Sequence, residues 1–158
     1  MSAELFKAVI EGLCNMYKLD PAPVLEGCTL EMGGVNFSLV HHKESDSPLL
    51  TLYCDFGAVP RELEAQVYRK LLEANLTSYT GQGETFCMAP DGRVIFANNY
   101  PLAVLTPEIL AGNIALISIF AKSWREGYFL NQEEPAAEQA KKMSHSELLM
   151  KQAGKAPK

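Results

Sequence analysis

AVPRELEAQVYRKLLEANLTSYTGQGETFCMAPDGRVIFAN, residues 58–98, contains a helix followed by a hairpin, and the rest of the chain is arranged around that pair. Pro60 supplies the fixed φ of a first helical position, and Glu62 places negative charge in the first turn. Leu63, Val67 and Leu71 recur every four residues on one stripe, which Tyr68 and Leu72 widen. Arg61, Glu64, Arg69 and Lys70 take the other side. Asn75, which tolerates a left-handed backbone, is expected to close the helix. ETFCMA and RVIFAN then flank Pro90-Asp91-Gly92. Proline suits the second position of the turn there, and glycine suits the positive φ.

Upstream, residues 2–18 read as a helix with Leu5, Phe6, Val9, Ile10, Leu13 and Tyr17 on one face and Ser2 as its cap. Asp20-Pro21-Ala22-Pro23 stops it. CTLEM and VNFSLVHH form two strands across Gly33-Gly34, a pair suited to a two-residue hairpin turn. Val35, Phe37 and Leu39 alternate with Asn36 and Ser38, so one face of that hairpin is wet. After the loop KESDSP, LLTLYCDF is apolar enough to be a central strand, and Gly57 is expected to break it. Downstream, Thr106 caps a last helix, Pro107 opens it and Leu105 can staple onto Leu110. That helix runs to about Glu126 and is apolar on more than one face; Gly112 inside it is read as a close contact. Residues 1–130 form one domain and 131–158 a mobile polar tail with at most a weak helix over 136–152. The order helix, three strands, helix, two strands, helix is α+β with a twisted antiparallel sheet and helices packed on it.

Pro60, the helix ending LLEANL, a short glycine-bearing loop and the hairpin closed by Asp91-Gly92 are followed by Tyr100-Pro101-Leu102 and a helix carrying Phe120 and Trp124. In that order they resemble the type III secretion chaperones of the Tir-chaperone (CesT-type) family, over residues 5–127. The resemblance rests on the series, since each piece alone is ordinary helix-and-turn grammar. It implies a homodimeric cytoplasmic bacterial chaperone without enzymatic activity. Such a chaperone holds the N-terminal segment of one or a few effectors unfolded and export-competent, with the secretion-apparatus ATPase as a further partner. By position it assigns Leu63, Val67, Tyr68, Leu71, Phe86 and Met88 to the dimer interface. From the residues alone, the stripe of the central helix could equally pack on its own sheet. An extended client can add a strand to an open sheet edge and place alternate side chains in apolar pockets. The candidate walls are Leu5, Val9 and Leu13 of the first helix with Leu30, Val35, Phe37 and Leu39 of the first hairpin.

Composition narrows the alternatives. The chain has 158 residues, is 47% apolar and carries a net charge of −5, a profile of a folded domain with an acidic surface. Phosphate recognition needs concentrated Lys and Arg, so nucleic acid is excluded as a partner. The start of the chain is interrupted by Glu4, Lys7 and Glu11, unlike a secretory leader, and residues 114–121 are too short to span a bilayer. Cys14, Cys28, Cys54 and Cys87 lack paired spacing and read as buried free thiols. The sequons at Asn36 and Asn75 read as chance matches.

Chemistry-bearing patterns are sparse. His41 and His42 are adjacent on a strand and point to opposite faces, so they cannot share a metal, and His145 lies in the tail. Gly81-Gln82-Gly83 precedes a strand, whereas a phosphate loop precedes a helix. Glu62 and Glu64 fall on different helix faces, and Trp124 reads as a core anchor. No cofactor is implied. Two rival readings stay open: a small enzyme or ligand-binding domain with a site built from Cys54, His41 and Asp55, and a dimeric adaptor unrelated to secretion.

Overall fold

The computed structural model describes residues 1–42, 47–78 and 83–130, the side chains of 77 and 78 excepted. The expected tail, His145, Gly81-Gln82 and loop positions 43–46 lie outside the described residues. Helix α1 (Ser2–Tyr17) leads through a short α2 (Pro21–Leu25) to strands β1 (Leu30–Met32), β2 (Val35–His42) and β3 (Leu49–Ala58). A 3-10 turn (Arg61–Leu63) runs into α3 (Glu64–Ser78), followed by β4 (Thr85–Met88), β5 (Arg93–Pro101) and α4 (Pro107–Gly127). All strands are antiparallel in the order β1-β2-β3-β5-β4, so the continuously apolar β3 is the central strand.

The turns follow local chemistry. Gly33 and Gly34 both take positive φ, 61° and 76°, and close β1 on β2 with Met32 opposite Val35. In the second hairpin the Gly92 N–H donates to the Ala89 carbonyl at 2.9 Å, with Gly92 at φ 83°. Thr106 accepts from the Ile109 N–H through its hydroxyl, and Pro107 opens α4.

Inward residues of the sheet, among them Phe37, Leu52, Cys54, Phe56, Val94 and Phe96, are buried, and α4 packs against β3, β2 and β1. Helix α1 packs on α4 and α2, and α3 lies along β4. Phe56 sits at the centre, with the rings of Phe86, Phe96, Phe120 and Trp124 at 5.3–5.6 Å. Trp124 is wholly buried and therefore a core anchor; its indole Nε1 has no hydrogen-bond partner among the described residues. On the opposite sheet face Arg93 forks onto the Asp55 carboxylate at 2.6–3.1 Å, and the Thr51 hydroxyl donates to Asn99 Oδ1 at 2.6 Å.

Several expectations are corrected. Met1, not Ser2, precedes the first helical residue, and no side chain caps α1. Asp20-Pro21 stops α1 but also starts α2, whose first turn is capped by Asp20 accepting from the Ala22 N–H. Gly57 does not end β3. It lies inside the strand at φ 111°, where the pairing with β5 slips by one residue between Asp55 and Gly57. Arg125 of α4 holds this bulge by donating to the carbonyls of Asp55 and Phe56, both at 2.7 Å. Asn75 does not close α3 either, since the helix continues to Ser78. Lys70, expected on the solvent side, reaches across to donate to the Phe129 carbonyl at 2.8 Å, where the chain leaves α4. Two cysteines, Cys14 and Cys54, are buried; Cys28 and Cys87 are exposed, and all four are free.

The close contact expected at Gly112 belongs to Gly12 instead. A Cβ at Gly12 would collide with Cγ of the rigid Pro107 ring, whereas one at Gly112 meets nothing within 4 Å. Overpacking costs about 1–3 kcal/mol and outweighs the helix-propensity gain of roughly 1 kcal/mol only where space is missing. Gly12→Ala should therefore lower the melting temperature and Gly112→Ala should raise it by a few degrees, measured by thermal denaturation side by side.

Candidate functional site: open edge, exposed apolar rows and an acidic pocket

The two sheet edges differ. On β4, the Asn75 carboxamide occupies the place of a neighbouring strand: its Nδ2 donates to the Phe86 carbonyl at 2.8 Å and its Oδ1 accepts from the Phe86 N–H at 2.7 Å. On β1, Leu30–Met32 pairs with β2 on one side and with no described strand on the other. Gly33-Gly34 makes Met32 and Val35 the hydrogen-bonded closing pair of the hairpin, so strand alternation directs the Glu31 N–H and carbonyl outward.

Of the side chains assigned to a client groove, Val9, Leu13, Leu30, Val35, Phe37 and Leu39 lie in the protomer's own core. Leu5 is exposed on α1, as are Met16, Tyr17 and Leu19 near its end. Of those assigned to a dimer interface, Val67, Leu71 and Phe86 are core residues, Leu63 and Tyr68 are half-buried, and Met88 is 61% exposed. Leu72, read as widening the stripe but not assigned to the interface, and Leu76 one turn on are 69% and 77% exposed. Their four-residue spacing was the available signal.

The residues of the rival enzyme site are not brought together. Cys54 is buried on the helix-covered face, and burial pushes its thiol up to about 12, far from a ready nucleophile. Asp55 points to the opposite face and is held by Arg93. His41 pairs with Leu50, four residues up the strand from Cys54, and its ring stacks on Phe6 at 5.0 Å. Among the described residues, no three His, Cys, Asp or Glu side chains are placed to hold a metal ion. No helix among them is long and apolar enough to cross a membrane.

A cavity of about 440 Å³ opens between the ends of β3 and β5 and the start of α4, walled by Leu49, Pro101, Val104, Leu105 and Ile109. Glu84, Asn98 and Tyr100 converge in it. The Asn98 amide donates to the Tyr100 hydroxyl at 3.1 Å and to Glu84 Oε1 at 3.4 Å. Burial pushes the Glu84 carboxyl up to about 7 and, with Glu84 beside it, the Tyr100 phenol well above its ordinary range. The sequence held a signal for this cluster: the alternation Val94, Phe96, Asn98, Tyr100 carries an amide onto the buried face of β5.

The sequence model of the Tir chaperone protein (CesT) family matches residues 9–125, from within α1 to nearly the end of α4. No curated protein sequence matches significantly. A chain in the crystal structure of the ExsC-ExsE complex shares the fold, with a TM-score of 0.62 at 18% identity, covering 81% of this chain and 96% of that one.

Proposed function

The chain belongs to the Tir chaperone protein (CesT) family, and on that premise we propose that it is a homodimeric cytoplasmic chaperone for type III secretion. It binds the N-terminal segment of an effector and keeps that segment extended until export, when the secretion-apparatus ATPase takes part. The observation that carries this reading is the family match across every element that builds the sheet and its helices. Two local features support the binding mode. The edge of β4 is occupied by Asn75, which leaves β1 as the edge where an extended segment adds a strand. Leu5, Met16, Tyr17 and Leu19 on and just past α1 are the exposed apolar side chains available to the segment's own side chains. The exposed Met88 with Leu72 and Leu76 forms the dimer surface, in place of the core residues Val67 and Leu71.

The test is Glu31→Pro. Proline removes the outward N–H of β1 and leaves the β1–β2 bonds at Met32 and Val35 in place. The polypeptide that copurifies with the wild-type protein from its native cell supplies the N-terminal fragment for titration. Glu31→Pro should weaken its binding at least tenfold with little change in melting temperature. Unchanged affinity would refute strand addition at β1, and a copurifying partner that folds into a compact domain would refute the chaperone reading.

A further inference from the structure

The Glu84 pocket has the composition of a receptor for a cationic group on an apolar stem. Leu49, Pro101, Val104, Leu105 and Ile109 form an apolar wall, and Asn98, Asn99, Tyr100 and one carboxyl, that of Glu84, complete the lining. That carboxyl is poorly satisfied: the hydrogen bond it has among the described residues is the long one from Asn98, 3.4 Å, whereas a carboxylate offers about four acceptor positions. Among the described residues, no Lys, Arg or His lines the cavity. Around Glu84, β5 presents Asn98, Asn99 and Tyr100, and α4 presents Ile109, Asn113 and Leu116. Of these only Tyr100 titrates, and it stays neutral wherever Glu84 changes state. The small void behind Glu84, toward Phe96 and Phe120, is about 10 Å³ and holds at most one water, so the open side of the carboxyl is the large cavity.

We propose that this pocket binds a guanidinium or ammonium group on an apolar stem, with Glu84 as its anionic partner and Leu49, Val104, Leu105 and Ile109 packed along the stem. An arginine or lysine side chain of a bound polypeptide carries this chemistry, and so does a free alkyl amine. The volume, about 440 Å³, exceeds one side chain and leaves room for flanking backbone. The bound cation favours the ionised carboxyl, so occupancy and deprotonation of Glu84 are linked: binding is strong above the Glu84 midpoint and fades below it.

The experiment uses n-butylguanidinium as the probe, n-butylurea as its neutral match and acetyl-Ala-Arg-Ala-amide as the peptide form, followed by NMR of the Glu84 carboxyl and the Ile109 methyls. With a midpoint near 7, the ionised fraction falls about tenfold from pH 8 to pH 6, and n-butylguanidinium affinity should fall about as much. Glu84→Gln mimics the neutral acid; it should weaken the probe at least tenfold at pH 8 and remove the pH dependence. The peptide binding tighter than n-butylguanidinium assigns the site to a polypeptide side chain, and equal affinity assigns it to a free alkyl cation. n-Butylurea binding the wild type as tightly as n-butylguanidinium would overturn the proposal, with no variant needed. So would undiminished binding to Glu84→Gln. No effector enters the test, so its outcome is separate from that of the chaperone reading.

Discussion

Phe56→Ala is expected to destabilise the fold by about 3–5 kcal/mol, the range for truncating a fully buried phenylalanine. Phe56 has no exposed surface, and four aromatic rings on three other elements lie within 5.6 Å of its own. Phe86 comes from β4, Phe96 from β5, and Phe120 and Trp124 from α4, so one ring couples the sheet's centre, its β4 edge and its covering helix. The site cannot collapse to refill the space, because Phe56 stands beside the β3 bulge. There Arg125 fixes the carbonyls of Asp55 and Phe56 and holds the backbone in place. A domain of this size has roughly 5–15 kcal/mol in all, so the loss is a large share of its stability. Urea denaturation should show a midpoint shifted to low denaturant with an unchanged slope. A loss below about 1.5 kcal/mol would mean that the aromatic cluster relaxes around the gap and is not the keystone of the core.

How much of this was legible in the sequence depended on whether the deciding interaction was local. The Gly33-Gly34 and Pro90-Asp91-Gly92 turns and the Thr106-Pro107 helix start are determined by residues within a few positions, and each was read correctly. Gly57 was misread because positive φ ends a strand unless a bulge absorbs it, and the group that holds this bulge, Arg125, lies far along the chain. Asn75 was misread for the same reason. Its amide bonds the backbone of Phe86 across the helix-to-strand connection, a role that helix-end preferences do not register. Most of the assigned site residues, though not Leu5, Leu63, Tyr68 or Met88, lie in the core because periodicity detects apolar stripes without saying what covers them. Helix α3 carries two, Val67-Leu71-Ala74 facing inward and Leu72-Leu76 facing out, and only packing tells them apart. Glu84 and Tyr100 meet through the β4–β5 pairing and the approach of α4, so the acidic pocket was invisible as a unit.

Leu72→Asp is expected to turn the proposed dimer into a folded monomer, while Val67→Asp unfolds the protomer. Val67 is 0% exposed, and an aspartate there would bury an unpaired carboxylate in the core. Leu72 stands 69% exposed one turn from Leu76, and Asn75 between them bonds the strand that carries Met88. Three large apolar side chains therefore project from α3 and β4 into solvent in the isolated protomer. Full burial of a leucine contributes about 1.5–3 kcal/mol. In a two-fold dimer each substitution is made twice, so Leu72→Asp removes roughly 4 kcal/mol before repulsion between the new carboxylates is counted. That corresponds to about a thousandfold weaker association. The helix itself loses little, because its own packing uses Val67, Leu71 and Ala74, which remain. Sedimentation should give a dimer for the wild type at micromolar concentration and a monomer for Leu72→Asp, with circular dichroism and cooperative melting retained in the variant. A wild-type monomer under those conditions, or a Leu72→Asp protein that still sediments as a dimer, would show that α3 is not the surface through which two copies meet.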